Sequence, residues 1–223
     1  MSIAIPVRSD HDIQISVMEE LDWTPDVDGT GIGVAVDDGT VFLSGEVDSN
    51  SERIAAGHAA LRVNGVIALV DNLIVHTSTR WRLTEADIAK VVVHALTWAS
   101  NVPDTVKASI TNHTVTLSGH VQWDFERRAA ERAVQHLRGI SFVYNKITLL
   151  DRPYATDTEE RIRKALTRNA ALGAQTIDAV VAGNTVTLSG TTRSWAEKQQ
   201  AGFAAWSSPH VTNVVNHIAV RGH

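Results

Sequence analysis

Ten histidines and three serines held in a recurring Leu-Ser-Gly frame are the side chains of this sequence with the most chemistry on offer. A zinc-binding helix needs a His-Glu-x-x-His pair, which is absent, and His113 and His120 fall on a segment that reads as a hairpin whose arms orient them apart. A nucleophilic serine needs a neighbouring base and a sharp turn that exposes its hydroxyl. Ser44, Ser118 and Ser189 instead alternate outward between a leucine and a glycine, in three copies that share no histidine partner. They read as structural. The run Gly29-Thr30-Gly31-Ile32-Gly33 lacks the Lys-Ser/Thr ending of a phosphate loop and has no helix after it. With no cysteine there is neither a thiolate ligand nor a disulfide framework. No catalytic residue, metal or other cofactor is expected, and the chain reads as a non-enzyme.

Aromatic residues are the better candidates for contact with a partner, because tryptophan dominates: six, against four Phe and two Tyr. Trp123 and Trp195 fall beside the start of a helix, with Phe125, Arg127 and Arg128 near the first and Lys198 near the second. An aromatic beside basic residues at a helix end suits the interface of a lipid bilayer. Packing against an adjacent module explains the same tryptophans without a ligand. Trp23 and Trp98 occupy equivalent places two residues after a helix leucine, where a third copy has Arg168, and are expected to cover the helix end as core or inter-domain packing, with ligand contact as the alternative.

The elements that hold these residues follow from a threefold repeat. VFLSGEV at 41–47, VTLSGHV at 115–121 and VTLSGTT at 186–192 place their serines 74 and 71 positions apart. That period is the size of a small domain. Four positions before Leu21, Leu96 and Leu166 stand Val17, Val92 and Ile162, and nine before stand Asp12, Asp87 and Asp157. This is helical spacing with acidic residues at the positive end of the helix dipole. Alternating runs then meet at Asp37-Asp38-Gly39, Asn112-His113 and Gly183-Asn184, which predicts a hairpin in each copy. The frames Leu43-Ser44-Gly45, Leu117-Ser118-Gly119 and Leu188-Ser189-Gly190 define the second strand, their glycines marking a bend or a close helix approach. A second, alanine-rich helix begins at Ser49, Asp124 and Ser194. Ser49 with Glu52 and Ser194 with Glu197 fit a capping box, whereas Trp123 replaces the middle serine, so that cap shifts to Asp124 or is absent. A third strand closes each copy. The fold class is therefore α+β: three tandem αββαβ modules, each a three-stranded sheet with two helices packed on one face. Their short connectors, 76–83 and 150–155, predict restricted inter-domain motion.

Charge is divided unequally. Residues 10–76 carry 13 acidic and 2 basic side chains, a balance of −11; residues 77–151 carry 7 and 9, or +2; residues 152–223 carry 5 and 8, or +3. A first module this acidic would be repelled by anionic lipid or nucleic acid, so any lipid contact belongs to the second and third modules. No concentrated basic face or aromatic motif points to nucleic acid. No apolar run reaches the roughly 20 residues of a transmembrane span, and the amino-terminal residues do not read as an export signal. A soluble, cytoplasmic protein is expected, with the periplasm as the alternative.

The Leu-Ser-Gly frame, the alanine-rich helix after it and the closing Gly-Val or Gly-Ile followed by V-x-N-x-I make each copy resemble a BON domain. The resemblance covers residues 9–76, 82–150 and 155–221 and is similar to multi-BON proteins of the osmotically inducible protein Y type. It implies a bacterial binding module associated with osmotic stress, attached to phospholipid surfaces or acting chaperone-like on exposed hydrophobic protein segments. The other reading is a structural or assembly protein acting through inter-module contact or self-association, without lipid.

Overall fold

The first helix of each of the first two repeats starts where its sequence lets two backbone donors be satisfied. In the computed structural model, which describes residues 8–76, 83–153, 157–168 and 177–221, α1 (Asp10–Asp22) is capped by Ser9, whose hydroxyl accepts from the Asp12 N–H while the Asp12 carboxylate accepts from the Ser9 N–H. α3 (Glu85–Trp98) repeats this with Thr84 and Asp87. The capping hydroxyls first, and the backbone bonds second, hold both carboxyls below the usual aspartate range. A carboxyl whose folded-state pKa is depressed stabilises above its unfolded value and stops doing so as pH falls through the folded value. Asp87→Asn should therefore lower stability at neutral pH and flatten the acid limb, its profile converging on that of wild type toward pH 2, as read by urea unfolding followed by circular dichroism across that range.

Each helix buries the face that its spacing marks. Ile13, Val17 and Leu21 of α1, Ile88, Val92 and Leu96 of α3, and Ile162 and Leu166 of α5 (Thr158–Arg168) are buried. Against them lies a hairpin: β1 (Ile32–Asp37) with β2 (Thr40–Val47), β4 (Lys107–Thr111) with β5 (Thr114–Ser118), β9 (Ile177–Ala182) with β10 (Thr185–Thr192), each pair antiparallel. The loops have two residues. Asp38 and Gly39, like Asn112 and His113, both take positive φ, the turn whose twist matches that of the flanking strands. The second helices, α2 (Asn50–Arg62), α4 (Asp124–Gln135) and α6 (Trp195–Trp206), carry the chain over to a third strand. That strand is β3 (Ala68–Val75) in the first module, next to β2. In the second, β7 (Phe142–Asn145) runs parallel to β5 and β8 (Thr148–Leu149) to β6 (His120–Val121). In the third, β11 (Asn213–Asn216) and β12 (Ala219–Val220) both run parallel to β10. Ala56, Ala59 and Ala60, Ala130, and Ala201 and Ala205 have no exposed surface, which lets the second helix lie close on its sheet. The α+β architecture of small sheets backed by helix pairs is as expected.

The glycine of the Leu-Ser-Gly frame has a partner that the sequence did not name. Gly45 and Gly119 take φ +119° and +124°, and a Cβ on them would meet the carbonyl oxygens of Gly31 and Thr105 at 2.1 and 2.2 Å. The close approach is thus to backbone at the mouth of the preceding strand, which for Gly45 is the end of the 3-10 turn Gly29–Gly31. The asparagine of V-x-N-x-I is equally specific. Asn145 accepts from the Ile147 N–H and donates to the Arg127 carbonyl, and Asn216 does the same with Ile218 and Lys198. One side chain thereby fills the break in the third strand and ties it to the second helix.

By packing, the chain forms two compact units: Glu46–Ile54 with Leu73–Asp151, and Met1–Gly45 with Ala55–Asn72 and Arg152–His223. The first module contributes to both. The connector residues 77–82 and 154–156 lie outside the described residues.

Candidate binding surfaces

The start of the second helix is where the sequence places its contact candidates, and there the side chains are largely engaged. Trp195 is half-buried; its indole N–H donates to the Ile67 carbonyl at 3.1 Å, and Lys198 Nζ stands 4.8 Å from its ring centroid. In α4 the buried Asp124 carboxylate is clasped by the guanidinium groups of Arg127 and Arg128. Trp123 occupies the N-cap without a side-chain cap bond; the Glu126 carboxylate instead accepts from the Gln122 and Trp123 N–H groups. Glu52 and Glu197 likewise reach the N–H of Asp48 and Arg193, one residue before the capping serine. Of these candidates Phe125 is the one left open, half of its surface exposed.

The same position in the first module makes a docking contact. Asn50 Nδ2 donates to the Gln135 carbonyl at the end of α4, Ser51 Oγ lies 3.0 Å from His136 Nδ1, and the Arg53 guanidinium sits 4.3 Å from the centre of the Phe142 ring. Phe142 in turn packs on Tyr144. Module-to-module contact through the start of a second helix therefore occurs within each compact unit: α2 on the second module in one, α6 on the first module in the other.

Trp23 and Trp98 overturn their expected packing role. They are 84% and 77% exposed, the most open large apolar residues described. Each ends a helix whose buried face is already filled by the leucine two residues earlier, so the ring is carried past the core into solvent. On α3, Val91, His94 and Trp98 form one stripe at helical spacing, with Lys90 and the exposed Val93 beside it. The His94 ring stacks on Trp98 with centroids 4.9 Å apart. On α1 the equivalent surface shows Ile15 and Met18, with Glu19 and Glu20 among them. Surface spacing could have flagged these residues, since 91, 94 and 98 are one face and none repeats the Ile88, Val92, Leu96 set.

Among the described residues, reactive groups are not assembled. His113 Nδ1 lies 2.9 Å from the Gly139 carbonyl and His120 Nδ1 2.8 Å from Thr148 Oγ1, both structural contacts. Ser44 Oγ faces the Gly33 carbonyl at 3.5 Å, with no base in the contact. Among the described residues no three His, Asp or Glu side chains gather as a metal site, and no helix is long and apolar enough to cross a membrane.

Compared with known families, the chain matches the BON domain three times, at residues 9–77, 84–151 and 155–222. No curated protein matches it in sequence. Among solved structures, the C-terminal domain of CdsD, the structural protein of the type III secretion system of Chlamydia trachomatis, is 12% identical, with 96% of this chain and 99% of that one covered and a TM-score of 0.26. A second CdsD structure from Chlamydia trachomatis is 11% identical, covering 94% and 92% with a TM-score of 0.26.

Proposed function

This chain belongs to the BON domain family, three modules covering nearly its whole length, and from that premise we propose that it is a stress-associated binding protein that attaches to anionic phospholipid surfaces. The observation that carries the reading is the outward stripe of α3, where Trp98 stands 77% exposed beside Val91 and Val93. An amphipathic aromatic with aliphatic neighbours and a nearby cation, here Lys90, is what an interfacial contact uses. The second module also carries a net charge of +2, so an anionic surface does not repel it. Trp23 is equally exposed but belongs to a module of charge −11, and contributes little to such a surface.

Sedimentation with vesicles of phosphatidylglycerol and phosphatidylcholine tests this. Wild type is expected in the pellet with anionic vesicles, Trp98→Ala should weaken that binding at least about fivefold, a loss of roughly 1 kcal/mol for one interfacial ring, and Trp23→Ala should leave it close to wild type. Failure to bind any vesicle composition sinks the proposal. The assembly reading rests on a separate observation, the docking of α2 and α6 on neighbouring modules. It predicts instead that Asn50→Ala and Trp195→Ala change the hydrodynamic radius while vesicles are ignored.

A further inference from the structure

A groove in the third module lies between the outer side of α5 and the end of α6. It encloses about 240 Å³. Its floor is aliphatic, made by Ile162, Ala165 and Ala204. Arg161, Lys164 and Arg168 line one wall, at helical spacing along α5. Ser207, Ser208 and Pro209 make the facing wall; the Ser208 hydroxyl is buried beneath it, without a hydrogen-bonding partner among the described residues. Among the described residues Arg161 and Lys164 are held by exposed pairs to Asp157 and Glu160, which are weak and readily exchanged for a ligand oxygen.

The first module supplies an internal comparison, because the same groove exists there with opposite polarity. Ser16, Glu19 and Trp23 stand 145 residues before Arg161, Lys164 and Arg168, and Val63 and Asn64 stand 145 before Ser208 and Pro209; all five line that groove. A guanidinium reaches the same carbonyl in both modules: Arg8 lines the first groove and donates to Ser16 Oγ at 2.6 Å and to the Asn64 carbonyl at 3.1 Å, and Arg152 donates to the Pro209 carbonyl.

We infer that the groove of the third module binds a small amphiphilic anion, its carboxylate or phosphate head held by Lys164 and Arg168 and its aliphatic part laid on Ile162, Ala165 and Ala204. An oxyanion supplies the acceptors that an ammonium and a guanidinium fork require. The aliphatic floor excludes inorganic phosphate as the full ligand, since methylene burial carries part of the affinity. This site is on a different module from the α3 stripe and stands or falls independently of the vesicle result.

Isothermal titration of the full chain with hexyl phosphate, below its micelle concentration, tests the inference. One saturable site is expected. Inorganic phosphate and hexyltrimethylammonium should each bind at least about tenfold more weakly, the former for want of methylene burial and the latter for want of an anionic head. Lys164→Gln with Arg168→Gln should reduce affinity at least about tenfold, as loss of two charge-assisted bonds requires. Arg163→Gln removes the same charge from α5 but does not line the groove, and should bind as wild type does. Circular dichroism confirms that each variant is folded; Arg168→Gln alone serves if the double variant is not. Absence of a saturable site, equal binding of inorganic phosphate, or an equal loss in Arg163→Gln overturns it.

Discussion

Gly119→Ala should destabilise the protein by at least about 3 kcal/mol, because two penalties fall on one residue. The first is conformational: φ of +124° is outside the range that a residue with a Cβ adopts easily. The second is steric. The new methyl would lie 2.2 Å from the Thr105 carbonyl oxygen and 3.0 Å from its carbon, atoms of the backbone that cannot rotate away as a side chain can. The strand would have to separate from its neighbour to admit it. Small modules have only a few kcal/mol in reserve, so the second module should open as a unit. Gly183→Ala is the matched control, since it also has positive φ, +59°, but nothing within 4 Å of its Cβ. Its cost should stay near the roughly 1–2 kcal/mol of a left-handed alanine. Urea unfolding of the two variants separates the effects, and equal midpoints would show that the carbonyl contact does not matter.

That pair of glycines shows what local sequence can and cannot specify. The spacing of Val92 and Leu96, or the turn Asn112-His113 between alternating runs, states its own structure, because helix and hairpin are decided by residues a few positions apart. The BON-type layout was legible for that reason. Gly119 was legible as special but not its partner, which lies 14 residues away across the sheet. The docking of Asn50 on Gln135, 85 residues apart, left no local trace. Trp98 failed in the opposite sense. Large aromatics are usually buried, and that general tendency misled where the helical phase of 91, 94 and 98 already pointed outward.

One buried frame carries three different surfaces. The core positions keep their type in every copy, Leu21, Leu96 and Leu166 being all buried, while the residue two places on is Trp23, Trp98 or Arg168. A repeat in which packing is fixed and the outer face of the first helix varies separates stability from recognition, so each module can engage a different chemistry without altering its fold. The acidic first module, the apolar stripe of the second and the cationic groove of the third are three such outcomes.

The same divergence at the second helix makes Asp124 the second large effect. It occupies the position held by Asn50 and Trp195 in the other copies, but its side chain is 4% exposed and met by both Arg127 and Arg128. Burial removes water from the carboxylate, so its stabilisation depends on those two guanidinium groups and on the positive end of α4. Asp124→Ala leaves the cations facing a site without its anion, and the expected cost is about 2–3 kcal/mol, reduced from the fully buried range because Arg127 and Arg128 are themselves 27% and 32% exposed. Asp124→Asn keeps the volume and loses the charge, and should recover only a minor part. A double-mutant cycle with Arg128→Ala measures the pair directly: a coupling above about 1 kcal/mol is expected, and simple additivity would mean that the carboxylate is held by the helix end alone.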